Sequence, residues 1–452
     1  MPAAIEQRDS LNDSEQVSFL VEPGGRLQGN LRVPGDKSIS HRAIMLGSLA
    51  EGVTEVTGFL EGEDSLATLN AFRHLGVPIQ GPEGGGVIIQ GVGLNGLRAA
   101  EGPLDLGNSG TSMRLLAGLL AGQRFPSTLI GDASLSRRPM RRVTEPLGRM
   151  GARILTTGHG TAPLEIEPVP SLRGICFDMP VASAQVKSCL LLAGLYAAGE
   201  TCVGEPAPTR DHTERMLAGF GYSLRRAGNR VCLQAGGRLT ARPIEVPADI
   251  SSAAFFLVGA SIAPGSDVLL THVGMNPTRV GVIEILRAMG ADIELSNSRD
   301  VGGEPVADLR VRHAPLRGVR IPEPQVPLAI DEFPALFVAA ACAQGETLLT
   351  GAEELRVKES DRIQVMADGL LALGIDAEPR SDGIRIRGGR VGAGRVDSHG
   401  DHRVAMAFAM AGLRAEGEIR IGDCANVDTS FPGFVDLAAR AGLRIGEMRE
   451  AP

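Results

Sequence analysis

The chain has 452 residues, enough for at least two domains with apolar cores of their own. Its composition, 43% hydrophobic and 22% charged, predicts a soluble globular protein. A net charge of −8, aromatics at 3% and no tryptophan exclude a general nucleic-acid binder built on a basic face or base-stacking platforms.

From the N-terminus, residues 1–16 are polar and lack an apolar signal-peptide core, so they read as a disordered tail. The longest apolar run, Leu190 to Ala198, is interrupted by Gly194 and falls well short of the roughly 20 residues of a membrane span. The six cysteines (Cys176, Cys189, Cys202, Cys232, Cys342, Cys424) form no C-x-x-C pair and have no histidine at zinc-ligand spacing. Buried, reduced thiols in a cytoplasmic protein are expected, with neither metal nor cofactor.

The first structured landmark is Val33-Pro34-Gly35-Asp36-Lys37-Ser38-Ile39-Ser40-His41-Arg42. Pro34-Gly35 ends a short strand, Asp36 or Ser38 caps a helix, and Lys37, Ser38 and Arg42 sit on its first turn. A helix start with these groups suits a dianion such as a phosphate ester. The same strand–polar loop–apolar helix pattern recurs at Asn108-Ser109-Gly110-Thr111, Ser183-Ala184-Gln185, Pro247-Ala248-Asp249, Asp331-Glu332 and Asp401-His402-Arg403. In the fifth copy Val326 to Ile330 takes the strand position.

These landmarks lie about 70 residues apart, beyond solenoid periods. Further helices are expected over Asp64 to Leu75, Arg137 to Met150, Thr278 to Met289 and Ser360 to Leu373, each stopped by a glycine. Six α/β units in two groups of three follow, and Pro34-Gly35-Asp36 and Pro247-Ala248-Asp249 mark passages between domains. The expected division is residues 17–35 plus 250–452 as one discontinuous domain and 36–249 as the other, with the site in the cleft between them.

Other motifs are weaker. Gly91-Val92-Gly93-Leu94-Asn95-Gly96 spells G-x-G-x-x-G, but no helix follows, as a dinucleotide site requires. His399 and His402 flank Asp401 without acidic partners at metal-ligand spacing, which favours capping or a pocket wall.

The loops collect Lys37, Arg42, Arg138, Arg210, Lys358, Arg362 and Arg403 with Ser38, Asn108, Thr111, Ser183 and Gln185. Several arginines in one cleft fit a substrate carrying more than one phosphate or carboxylate. Asp331 and Glu359 among those cations are candidates for proton transfer. Taken singly, Arg137 to Arg142 is a solvated helix start and Lys358/Arg362 a surface pair of little energetic weight. Their repeated placement at strand–helix loops favours a site.

Pro34-Gly35-Asp36-Lys37-Ser38, Leu106-Gly107-Asn108-Ser109-Gly110-Thr111, Arg138-Pro139-Met140, Ser183-Ala184-Gln185, Arg356 to Arg362 and Asp401 to Met406 resemble the 5-enolpyruvylshikimate-3-phosphate synthase family, in the same order and across about 20–440. The resemblance implies a fold of two globular domains, each of three inverse βαβαββ-type units. It also implies transfer of enolpyruvyl from phosphoenolpyruvate to the 5-hydroxyl of shikimate 3-phosphate.

By the same resemblance, Lys37, Ser38, Arg42, Ser183, Ala184, Gln185, Arg210, Asp331 and Lys358 would hold shikimate 3-phosphate. Lys37, Asn108, Gly110, Arg138, Gln185, Arg362 and Arg403 would hold phosphoenolpyruvate. Asp331 would accept or align the 5-hydroxyl proton, and Glu359 or Lys37 would protonate the methylene carbon. A monomer that closes on its substrates is implied.

Ala184 stands where many members have a second serine, and Asp428 to Pro432 has no lysine where one branch has one. Gln185 to Ser188 and Thr209 to Glu214 resemble the second branch, known for glyphosate-tolerant members, while Gly110 is the residue of sensitive ones. Glyphosate is the expected inhibitor class, its potency open.

The rival enolpyruvyl transferase acting on UDP-N-acetylglucosamine uses a loop cysteine that Asp132 to Met140 lacks. RNA 3′-phosphate cyclase shares related units but does not fit the acidic balance. A phosphate-ester binding protein without turnover would have no use for Asp331 and Glu359.

Overall fold

A computed structural model describes residues 16–450. The tail expected over 1–16 lies outside them except for Gln16, which opens the first strand.

Six helices begin at the polar loops: Lys37–Leu49, Gly110–Ala121, Ala184–Gly194, Ile250–Ile262, Phe333–Cys342 and His402–Ala411. Short polar side chains close the first turns of five of them; the Phe333 helix has no side-chain cap. Asp36 accepts from the Ile39 N–H, Ser109 from Ser112, Ser183 from Val186, Asp249 from Ser251 and Asp401 from Arg403. Every residue of Ile250–Ile262 and His402–Ala411 is buried, as helices apolar on all sides must be.

The intervening helices Glu63–His74, Arg141–Arg149, Gly281–Ala288 and Arg362–Ala372 stop just before Gly76, Gly151, Gly290 and Gly374. These glycines take left-handed φ values of 86°, 95°, 99° and 81°, which only glycine adopts without strain.

Five four-stranded sheets share one order, a parallel edge pair followed by two antiparallel pairings. In three of them a strand comes from elsewhere in the chain. Ile244–Glu245 joins Glu51–Thr57, and Gln28–Leu31 joins Asp267–Gly274. Gln16–Gly25 is inserted between Ile419–Gly422 and Leu443–Glu450. The remaining unit keeps three strands, with two isolated parallel bridges, Arg317–Gln344 and Arg320–Leu348, where its edge strand would lie.

Two hydrophobic cores result. One gathers residues between Ile39 and Val246, hereafter the inserted body; the other joins Phe19 to Val33 with Ala248 to Leu443, the flanking body. The two connecting segments bond to each other: Asp36 N–H donates to the Pro247 carbonyl (2.8 Å), and Asp249 N–H to that of Pro34 (2.9 Å).

Local structure departs from the sequence expectations at four places. Val326 to Ile330 is a run of turns, because Pro322, Pro324 and Pro327 remove ladder donors. The helix expected over Arg137 to Met150 breaks, since Pro139 forces Arg138 into extended backbone; a 3₁₀ turn ends at Arg137 and the α-helix starts at Arg141.

The apolar run Leu190 to Ala198 is not one helix: the helix after Ser183 ends at Gly194, and Ala197–Ala198 pairs with Leu172–Arg173. Not all cysteines are buried thiols: Cys202 and Cys232 form a disulfide, because antiparallel register sets them opposite each other, and Cys176 is exposed. Gly91 closes strand Gly86–Val92 against the end of the first helix, where a Cβ would strike the Ala50 carbonyl. No described helix is long and apolar enough to cross a membrane.

Candidate active site

The starts of the capped helices face one another across the gap between the bodies, and charged side chains reach over it. On the inserted side, Lys37 opens the first helix; its backbone N–H donates to Asp249 (3.1 Å) and its Nζ lies 2.9 Å from Asp64. Gln185 sits one residue into its helix, where its Oε1 accepts from Arg114 (2.6 Å) and its Nε2 donates to Thr111 (3.1 Å). Asn108 joins Asp132 to Arg138. Gly110 opens its helix with little room to spare: an added Cβ would sit 3.1 Å from both the Arg114 and the Arg138 guanidinium.

On the flanking side, Asp331 is ringed by cations. Arg210 pairs with it from the inserted body, Lys358 Nζ lies 3.4 Å away and Arg362 Nη1 3.5 Å away. Its backbone carbonyl accepts from Arg403 (2.9 Å). Burial works to raise the carboxyl's pKa, but Arg210, Lys358, Arg403 and Arg362 outweigh it and hold the group well below the carboxylate range.

Glu359 is bonded to Arg362 (2.6 Å) and lies 3.8 Å from Arg138 across the gap. Burial again opposes ionisation, and Arg362, Arg138, His402 and Lys37 overcome it. Arg362 is itself buried and held by Asp401 through Nε (2.8 Å), which keeps its charge in place.

The expected groups therefore converge, with four qualifications. Arg42 is buried, pushed down to about 10 by desolvation, and braced by Thr213 (2.6 Å), Ser188 (2.9 Å) and the Ser38 carbonyl (2.9 Å). The Ser183 hydroxyl serves as a helix cap ahead of Ala184. Lys358 and Arg362 form no surface helix pair, because the helix begins only at Arg362 and both reach Asp331. The run Arg137 to Arg142 is no simple solvated face either, since Arg142 meets Glu354 across the gap at 3.0 Å.

Several participants were not singled out from the sequence. Asp64 holds Lys37, though it reads there only as an acidic first-turn residue. Arg114 is a buried cation within the apolar Gly110 helix, pushed down to about 10 by burial; a lone arginine on that face was its one signal. His402, expected as a cap or a pocket wall, leaves capping to Asp401 and is pushed down to about 3 by burial and by Lys37, and so is neutral. Arg279 gathers Asp36, Asp249 (2.9 Å) and Glu332 (3.8 Å) beside the paired crossings. One grouping of described residues has metal-ligand potential (Glu200, Cys202, Cys232), but it lies on a sheet away from the cleft and two of its members are already bonded together.

The EPSP synthase (3-phosphoshikimate 1-carboxyvinyltransferase) profile matches residues 21–437. The chain belongs to the EPSP synthase family. It is 72% identical over 431 residues to the 3-phosphoshikimate 1-carboxyvinyltransferase of Methylococcus capsulatus, covering 95% of this chain and 99% of that one. With the enzyme of the same name from Alkalilimnicola ehrlichii it shares 71% over 430 residues, covering 95% and 96%. The solved EPSP synthase of Acinetobacter baumannii superposes with a TM-score of 0.87 at 58% identity, covering 96% of this chain and 100% of that one. The two-body architecture of repeated α/β units is thus the enolpyruvyl transferase fold.

Proposed function

We propose that the protein transfers the enolpyruvyl group of phosphoenolpyruvate to the 5-hydroxyl of shikimate 3-phosphate and releases phosphate. The observation that carries this reading is Asp331 and Glu359, both ionised among cations supplied by both bodies. Lys37, Ser38, Ser183, Ala184, Gln185, Arg210, Asp331 and Lys358 line the place for shikimate 3-phosphate, with Arg42 bracing Ser38 from behind. Lys37, Asn108, Gly110, Arg138, Gln185, Arg362 and Arg403 take phosphoenolpyruvate.

Asp331 aligns the 5-hydroxyl and accepts its proton as the oxygen adds to C2 of phosphoenolpyruvate. A proton delivered to C3 completes the tetrahedral adduct. Lys37 is a candidate donor for that step. Glu359 is the other: two anionic substrates offset the cations that keep it ionised, which raises its proton affinity as the site fills. Arg138, Lys37 and Arg403 then stabilise the departing phosphate, and loss of a proton from the new methyl group restores the double bond.

The bodies move as residues 36–249 against 17–35 plus 250–452. The protein works as a cytoplasmic monomer with no metal or cofactor. The motifs Gln185 to Ser188 and Thr209 to Glu214 support the second branch of the family, while Gly110 keeps the glycine that some tolerant members replace, so the glyphosate titration decides sensitivity. Phosphate release from phosphoenolpyruvate tests the whole reading, with shikimate 3-phosphate or UDP-N-acetylglucosamine as acceptor and glyphosate titrated in. Release with shikimate 3-phosphate alone is expected; release only with the nucleotide sugar would reassign the chain.

A further inference from the structure

On the sheet Cys176–Asp178, Glu200–Gly204, Arg230–Gln234, Leu224–Ala227, three cysteines stand in a row across adjacent strands. Cys176 is register partner of Cys202 in the parallel pair, and Cys202 of Cys232 in the antiparallel pair. Directly opposite residues share a face. It is the outer one, because the alternating residues Phe177, Val203, Val231 and Leu233 pack into the core. Cys202 and Cys232 are joined and buried, 4% and 2% exposed, whereas Cys176 is a free, exposed thiol.

Two ion pairs bracket the row, Arg225–Glu200 (2.7 Å) on one side and Arg230–Asp178 (2.6 Å) on the other. Arg225 is the register partner of Cys232, and Arg230 lies within electrostatic reach of Cys176. Neither ion pair does anything for the chemistry in the cleft.

We propose that Cys176, Cys202 and Cys232 form a thiol–disulfide exchange site in which Cys176 is the entrance for low-molecular-weight thiols. Strands about 4.8 Å apart set attacking, central and leaving sulfurs roughly in line, as displacement at sulfur requires. Cys176 gives its proton to solvent and attacks the Cys202 sulfur. The Cys202–Cys232 bond breaks as Cys176–Cys202 forms, and the electron pair leaves on Cys232 as a thiolate that Arg225 faces.

The exchange is balanced and needs no outside oxidant. The neighbouring-strand separation lies within the Cα range that a disulfide spans. The new bond has an exposed end, so a glutathione-class thiol can attack Cys176, forming a mixed disulfide there and releasing Cys202 as a thiol. The buried bond by itself offers that thiol no approach.

The test uses the full chain purified without reductant, blocked with N-ethylmaleimide at acid pH and mapped by non-reducing peptide mass spectrometry. Wild type is expected to carry one disulfide, partitioned between Cys202–Cys232 and Cys176–Cys202. In Cys176→Ser the second species should vanish, and reduction of the first by glutathione should slow at least about tenfold. Cys232→Ser, treated with diamide to supply the oxidising equivalents lost with the native disulfide, should form Cys176–Cys202, and Cys342→Ser should behave as wild type. Six blocked thiols in wild type, equal reduction rates with and without Cys176, or no cross-link in Cys232→Ser would each overturn the proposal.

Discussion

The three central helices of the inserted body and the three of the flanking body point at the same gap but are capped by different chemistry. Two of the inserted body's caps are neutral hydroxyls, Ser109 and Ser183, so the positive ends of those helices stay uncompensated. In the flanking body the residues before the helices are Asp249, Glu332 and Asp401. Each of these carboxylates also meets an arginine: Asp249 and Glu332 meet Arg279, and Asp401 holds Arg362. The difference separates two tasks on one scaffold. Under the proposed function, the open helix ends receive the anions of a substrate, while arginines fixed by internal carboxylates surround Asp331 and Glu359.

Neutralising the flanking carboxylates breaks this comparison most severely. Asp331→Asn and Glu359→Gln should each lower kcat by about 10²–10⁴ with a native circular dichroism spectrum, the usual worth of an acid–base group. A loss under tenfold would leave the flanking half without its chemical task. Next comes the clasp at the crossings: Arg279→Met strands Asp36, Asp249 and Glu332 as buried charges and should cost about 3–5 kcal/mol in urea unfolding. Unchanged stability would show that those carboxylates do not need their arginine.

Acid sharpens the contrast further. Burial and Lys37 push His402 down to about 3 from its ordinary 6.5, so the unfolded chain binds its proton more readily. Its stability contribution is complete above about pH 6.5 and drains away as the pH falls toward 3, by roughly 2 kcal/mol at pH 5. Thermal unfolding of His402→Gln should lack that part of the acid loss; parallel pH profiles would contradict it.

The smallest effect belongs to the receiving half. In Gly110→Ala the new methyl must displace the tips of Arg114 or Arg138 by a few tenths of an ångström, which flexible side chains can do. The KM for phosphoenolpyruvate should rise about tenfold, roughly 1.4 kcal/mol, with little change in kcat. A raised KM for shikimate 3-phosphate instead would exchange the two subsites.

Local rules made much of this legible in the sequence. Capping residues located the six central helices, and Gly76, Gly151, Gly290 and Gly374 ended the helices between them as turn chemistry requires. Proline defeated the reading twice, in the turns over Val326 to Ile330 and in the break at Arg138 that turns a basic helix start into a cleft residue. Partnerships were out of reach for a different reason. Asp64 with Lys37, Arg279 with Asp36, and Cys202 with Cys232 are separated by 27, 243 and 30 residues, and only strand register and domain docking bring them together.

The strand Gln16–Gly25, held between Ile419–Gly422 and Leu443–Glu450, bears on how the chain emerges from the ribosome. The inserted body has all of its core residues once Val246 is made, and it can fold during synthesis. The first strand must wait for about 175 further residues, from Val246 to Gly422, before either neighbour exists. Until then its unpaired edges need protection, and the last few dozen codons decide when the catalytic cleft first has two walls.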